Sequence, residues 1–315
     1  MTHPGREWSP LPAHRGFSKG DVSLRNWIDK NIKWVLTIPV IVFILLMIGY
    51  PLFYTFRLSF HSWSLSALKG MKWVGLKNYT TLFKSTKFWI GCKNTLVYSG
   101  ICLFFETFFG VSLAVFLNRT FRGMGMFRTM SLLPIVATPV AVSMVWKMIY
   151  DPALGILAQF LSLFGVAPIA WLGNPDTALA ALMVVDIWEF TPQIMLICLG
   201  GLSGIPTDCL EAASIDGATR WQSLTRITLP LLSPTILVAM MLRLIDLLKT
   251  YDQIYSTTQG GPGTSTTTIN ILAYRQAFEN FKFGDASATI VVFFAVLVLV
   301  TVVFNIFKKK ATVDY

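Results

Sequence analysis

Six apolar stretches, each about as long as a helix that crosses a lipid bilayer, constrain this chain more than any other feature. They occupy residues 34–56, 94–117, 130–149, 178–202, 231–251 and 284–307. A helix rises about 1.5 Å per residue, so roughly 20 apolar residues cross the hydrocarbon core, with every lipid-facing backbone group satisfied inside the helix. The third and fifth stretches are the least regular, because Pro134 and Pro139 interrupt one and Arg243, Asp246 and Lys249 the other. At 54% hydrophobic and 13% charged residues over 315 positions, the chain carries more apolar surface than a soluble core of ordinary composition buries. The expected fold is an all-α integral membrane protein with six transmembrane helices. It divides into an N-terminal tail (1–33), a membrane domain (34–307) and a C-terminal tail (308–315).

A net charge of +10 would suggest nucleic acid in a soluble protein, but here the basic residues cluster at the edges of the apolar stretches, which is the pattern of membrane orientation. Arg6, Arg15, Lys19, Arg25, Lys30 and Lys33 precede the first stretch, Arg119, Arg122 and Arg128 lie between the second and third, and Lys308 to Lys310 follow the last. By the positive-inside rule both termini are expected in the cytoplasm. Lys69, Lys72, Lys77, Lys84 and Lys87, in the first outside loop, argue the other way. The polar N-terminus lacks an apolar run ending in a cleavage site and reads as a retained tail. Cys92, Cys102, Cys198 and Cys209 are scattered without a C-x-x-C pair, so neither a disulfide framework nor a zinc site is expected.

One cytoplasmic loop is long, 203–230. Asp208 is placed to cap a short helix, with Glu211 near the positive end of its dipole. Ala212 and Ala213 leave that helix open to close approach by another protein, Asp216 follows, and Gly217 supplies a left-handed stop. A helical pattern resumes over 219–228, and Pro230 begins the next span. These features fit an ordinary capped loop as well as a docking site. On the other side, Gly260-Gly261-Pro262-Gly263 and the threonines after it read as a mobile turn.

The order of residues adds a resemblance. Glu211-Ala212-Ala213, three residues, Gly217, and then nine residues to an Ile and on to Leu229-Pro230 resembles the signature loop of binding-protein-dependent ABC importer permeases. Val74 to Tyr79, Phe88-Trp89 with Asn94-Thr95-Leu96, Phe127-Arg128-Thr129 with Leu132-Leu133-Pro134, and Gly260 to Gly263 resemble the sugar permeases of the maltose and glycerol-phosphate type, over residues 34–307. The resemblance implies the type I ABC importer permease fold, in which this loop is a cytoplasmic coupling helix seated on an ATPase subunit. It implies a bacterial or archaeal inner-membrane location and three kinds of partner: a second homologous permease, two ATPase subunits and an extracytoplasmic solute-binding protein. ATP and Mg would be held by the ATPase partners, and this chain would carry no cofactor.

Ionisable residues inside spans are costly, so they face a bundle interior or a water-filled path. Asp186, Glu189, Phe190 and Gln193 share one helical face of the fourth span, and Arg243, Asp246 or Leu247, and Thr250 one face of the fifth. Two readings stand open: Arg243, Asp246 and Lys249 pair with Asp186 and Glu189 to hold helices together, or the two faces line a cavity for a polyhydroxy substrate. In the maltose-type relatives sugar contacts fall at matching places, although a smaller residue stands there in place of Arg243. Glu106, alone in the second span, is either protonated or paired.

Other function classes fare worse. Gly201-Leu202-Ser203-Gly204 has the form of an intramembrane serine protease motif, but such chemistry needs a general base, and the histidines, His3, His14 and His61, all lie outside the spans. An ion-gradient-driven secondary transporter fits the buried acids but not the docking loop. Gly-Lys, required by a P-loop, occurs nowhere in the chain, so no ATP hydrolysis is expected here.

Overall fold

The computed structural model describes residues 19–64, 70–119 and 122–311. Arg6, Arg15, Lys69 and the outer parts of both expected tails lie outside the described residues, as do the side chains of Lys19, Arg25, Lys309 and Lys310. The chain divides between Tyr54 and Thr55 into two units. The first contains helix α1 (Lys19–Ile44), a π-helical turn at Leu45–Gly49 and the start of α2 (Tyr50–Leu58). Lys30–Leu58 is long and apolar enough to cross a membrane, and Leu36, Phe43, Ile48 and Phe53 on it are all exposed.

The second unit begins with a two-stranded hairpin, β1 (His61–Ser62) antiparallel to β2 (Lys72–Trp73), followed by α3 (Lys77–Lys84). Asn78, in the expected Val74-to-Tyr79 motif, is buried and donates to the carbonyls of Ser59 and His61, tying α3 to the strand. Then come α4 (Thr86–Leu117), α5 (Met124–Val136), α6 (Pro139–Ile149), α7 (Ile156–Ser162), α8 (Ala178–Ser203), α9 (Thr207–Ile215) and α10 (Arg220–Ser223). A π-helical turn at Leu224–Thr228 joins α10 to α11 (Leu229–Leu248), and α12 (Asp252–Thr257), α13 (Ile269–Tyr274) and α14 (Phe283–Ala311) complete the chain.

The core is the bundle of α4, α8 and α11. Without a hydrophobic driving force between helices in lipid, close approach depends on small residues. A Cβ at Gly110 of α4 would stand 2.8 Å from Ile194 of α8, and one at Gly201 of α8 would stand 2.7 Å from Thr235 of α11. Around these contacts Ala114, Leu117, Met195, Cys198, Leu232 and Ala239 are buried together.

Five expected spans appear as single helices, and the third does not. Residues 130–149 fall on α5 and α6, which bend by 95° at a break. Ala137 and Thr138 are extended, with ψ of 150° and 141°. A proline disfavours the helical region for the residue before it, so Pro139 ends α5 and opens α6 at its first turn. The fifth span also differs: its helix runs from Arg220 through Pro230 without a break and stops at Leu248, capped by Lys249, so Thr250 lies past its end.

The Gly260 loop is not loose. Asn94 of α4 donates to the carbonyls of Thr264 and Thr267, both at 3.0 Å, and Thr95 accepts from the Ile269 amide. Thr266, Thr267 and Thr268 are buried. Polar caps in α4 thus hold a turn that composition alone reads as mobile.

Candidate functional site

Arg243 of α11 is the hinge of the buried polar network. Its Nε donates to Glu106 Oε2 at 2.6 Å, and its Nη2 donates to Glu106 Oε1 at 3.0 Å and to Asp186 Oδ2 at 2.6 Å. The three side chains come from α11, α4 and α8, and each is nearly inaccessible. A buried charge is tolerated only when paired and hydrogen-bonded, and the bidentate fork of arginine satisfies Glu106 with both oxygens. Glu106 is therefore paired, which closes one alternative left open above. Cys102 Sγ lies close to both carboxylates, all within 4.8 Å of one another. The positive charge facing them is the guanidinium, so the cluster reads as an ion triad and not as a metal site.

A second chain of bonds runs alongside. Tyr98 of α4 donates to Gln253 Oε1 at 3.0 Å, and Gln253 Nε2 donates to Glu189 Oε2 at 2.6 Å. Tyr98, Cys102 and Glu106 stand four residues apart on one face of α4. That spacing was the available signal for Tyr98; Gln253, on α12 beyond the span, had none.

A small cleft of about 160 Å³ opens over the triad. Asp186, Phe190, Arg243 and Thr250 line it, with Asp252 and Gln253. Phe190 lies flat against the guanidinium, 3.9 Å from ring centroid to Cζ. Arginine Nε and Nη2 are consumed by the carboxylates, and among the described residues Nη1 has no protein acceptor. Tyr251, also lining the cleft and outside the spans, belongs to an aromatic group with Tyr255 and Tyr274. Burial, and then the Tyr274 hydroxyl, raise its phenol above the ordinary value, so it is a neutral hydroxyl.

The predicted residues divide between these settings. Asp186, Phe190, Arg243 and Thr250 converge on the cleft. Glu189 reaches it only through Gln253. Leu247 is packed in the apolar core beside Tyr98, Cys102 and Ile254, Gln193 is half-buried outside the cleft, and Asp246 is exposed and paired with Lys249 at 3.5 Å. The expected pairing of Arg243 with Asp186 is present, whereas Glu189, Asp246 and Lys249 bond elsewhere.

Between α8 and α11 the chain forms two short helices, and the first of them, α9, is exposed along most of its length. Pro206, not Asp208, is the N-cap of α9, and no side chain caps it; Asp208 instead sits in the first turn. Glu211, Ala212 and Asp216 are exposed, Ala213 is buried, and Ile215 is 86% exposed. The far end closes as a Schellman motif: Gly217, at φ 76°, donates to Ser214 O, and Ala218 donates to Ala213 O at 2.9 Å. Thr219 and Gln222 then form a reciprocal capping box that starts α10. Ser203 Oγ donates to Leu199 O and is an ordinary helix-end serine.

The chain is similar to known proteins over most of its length. Residues 106–310 match the family model described as "Binding-protein-dependent transport system inner membrane component". The "Probable ABC transporter permease protein y4oQ" of Sinorhizobium fredii is 36% identical, over 92% of this chain and 95% of its own length. The "Trehalose/maltose transport system permease protein MalF" of Thermococcus litoralis is 34% identical, over 88% and 93%. A crystal structure of a bacterial alginate ABC transporter, in complex with an alginate pentasaccharide-bound periplasmic protein, superposes with a TM-score of 0.79 at 25% identity. That match covers 90% of this chain and 96% of the other. Matched over the helices that carry both the ion triad and the exposed loop helix, the chain belongs to the family of inner-membrane components of binding-protein-dependent transport systems, and is a non-catalytic permease subunit of the ABC type.

Proposed function

We propose that this permease moves a sugar or related polyol inward, delivered by a solute-binding protein and driven by ATP hydrolysis in two separate subunits that hold ATP and Mg. Both termini face the cytoplasm, as the basic edges of the spans favour. The observation that carries the reading is α9, a short helix between two spans that exposes Glu211, Ala212 and Ile215 and is closed by left-handed Gly217. It acts as the coupling helix: closure of the ATPase pair moves it, and the membrane helices turn the cavity outward; hydrolysis and product release reset it inward.

The cleft supplies half of the substrate site. Its volume of about 160 Å³ falls short of the ~300 Å³ at which small-molecule pockets begin, so a second, homologous permease provides the other wall. Hydroxyl, amide and carboxylate groups at Thr250, Gln253 and Asp252, with Phe190 and Tyr251 for the apolar ring face, suit a polyhydroxy ligand. The sugars in the relatives' names support the same class. Gln193, Glu189, Asp246 and Leu247 contribute through helix movement, not from their present positions.

The test is reconstitution of the permease with its partners in liposomes. Sugar-loaded binding protein is expected to stimulate ATP hydrolysis and uptake together. Uptake that continues without ATP and collapses with an ion gradient would establish a secondary transporter instead.

A further inference from the structure

A second feature, lined by none of the residues of the substrate cleft, lies at the C-terminal end of α4. A pocket of about 660 Å³ sets Arg119 and Arg220, with Asn118, Ser214, Ser223 and Thr228, against an apolar wall that includes Leu202 and Leu210. Among the described residues neither arginine has a carboxylate partner. Two exposed cations beside three hydroxyls and an amide form a donor set for a phosphate oxygen cluster.

This pocket continues into another. An apolar groove of about 540 Å³ runs between α4 and α11, walled by Phe108, Val111, Leu229 and Ile236, and it shares Val115, Arg119 and Leu224 with the arginine-bearing pocket. Along α4 it extends from Thr107 to Arg119, about 18 Å at 1.5 Å per residue. That is close to the ~15 Å hydrocarbon depth of one leaflet, half of a ~30 Å core. Trp221, 71% exposed, lines the groove next to Leu224, which groove and pocket share, and exposed aromatic residues are enriched at a membrane boundary.

We infer that the structure assigns an anionic glycerophospholipid of the adjoining leaflet to this site, with an acyl chain in the groove and its phosphodiester against Arg119 and Arg220. The charge of the pocket selects against a zwitterionic lipid of equal chain length, and the groove selects against a free phosphate. Leu210 and Ser214 of α9 also line the pocket, so the bound headgroup bridges the exposed loop helix to the end of α4 and steadies its position.

Native mass spectrometry of the complete, delipidated transporter, titrated with phosphatidylglycerol or phosphatidylcholine, tests this. Phosphatidylglycerol is expected to bind more tightly. Arg119→Gln and Arg220→Gln are each expected to weaken it about fivefold, the effect of one basic residue at an anionic surface, while Arg226→Gln, outside the pocket, leaves it unchanged. Ser112→Trp, which narrows the groove and keeps both arginines in the sequence, is expected to reduce it as well. Equal binding of the two lipids, unaltered binding by the arginine variants, or full displacement by inorganic phosphate would each overturn the assignment.

Discussion

Arg243 Nε lies 2.6 Å from Glu106 Oε2, so the fifth span is bolted to the second by a buried charge pair 137 residues apart in sequence. Removing only the cation leaves two buried carboxylates without compensation. Arg243→Met should therefore destabilise the membrane domain by about 3–5 kcal/mol. Adding Glu106→Gln and Asp186→Asn to the same chain should recover much of that loss, measured as the unfolding midpoint in detergent. If the triple variant is no more stable than the single one, the triad is not what sets the cost.

The close approach of α4 to α8 gives a second expectation. Gly110 faces Ile194 so closely that a Cβ would sit 2.8 Å away, while a Cβ at Gly100, two to three turns earlier on α4, meets nothing within 4 Å. Overpacking a tight site costs about 1–3 kcal/mol. Gly110→Val should lower the unfolding midpoint well beyond Gly100→Val; equal losses would mean that helix propensity, not packing, decides.

These two sites show what the sequence makes legible. Glu106, Asp186 and Arg243 announce themselves as charges inside apolar stretches, and the cost of burial predicts partners without naming them; the pairing of Arg243 with Glu106 needed three helices in place. The expected partner Lys249 escaped because α11 ends at Leu248 and turns it out to Asp246. Pro139 was visible as an interruption, yet the size of the 95° bend depends on neighbours that no local pattern encodes. Gly217 was readable because a left-handed stop needs glycine there. The cap of α9 was misassigned to Asp208 because the Ser/Thr/Asp preference is statistical, and here Pro206 sits at that position with no side-chain bond to offer. Tyr98 stood four and eight residues before Cys102 and Glu106 on one face of an apolar stretch, whereas Gln253, beyond the fifth stretch, had no apolar or charge pattern to single it out.

Asn94 provides a third expectation. Its amide holds the half-buried Thr264 and the buried Thr267 by their carbonyls at 3.0 Å, and leaving a buried carbonyl unmet costs about 1–3 kcal/mol. Asn94→Ala should raise hydrogen exchange across residues 260–268 while exchange in α8 stays as in wild type. Unchanged exchange in that loop would show that Thr95 and the threonine hydroxyls suffice.

Phe190 separates substrate contact from assembly. It stacks on Arg243 at 3.9 Å and lines the cleft, so Phe190→Ala loses about 1 kcal/mol of cation–π stacking together with the aromatic wall. Sugar-stimulated ATP hydrolysis should need several-fold more loaded binding protein, with the complex assembling normally. A variant that transports as wild type would remove Phe190 from the substrate path.

The most direct measurement compares ATP hydrolysis and sugar uptake in proteoliposomes for the wild-type permease and for Glu211→Ala and Gly217→Val. Glu211 is exposed on α9, and Gly217 holds a φ of 76° that a β-branched residue strongly resists. Both variants are expected to remain in the membrane, lose uptake and no longer link it to hydrolysis. Uptake equal to wild type in both would contradict the assignment of α9 as the helix through which the ATPase drives transport.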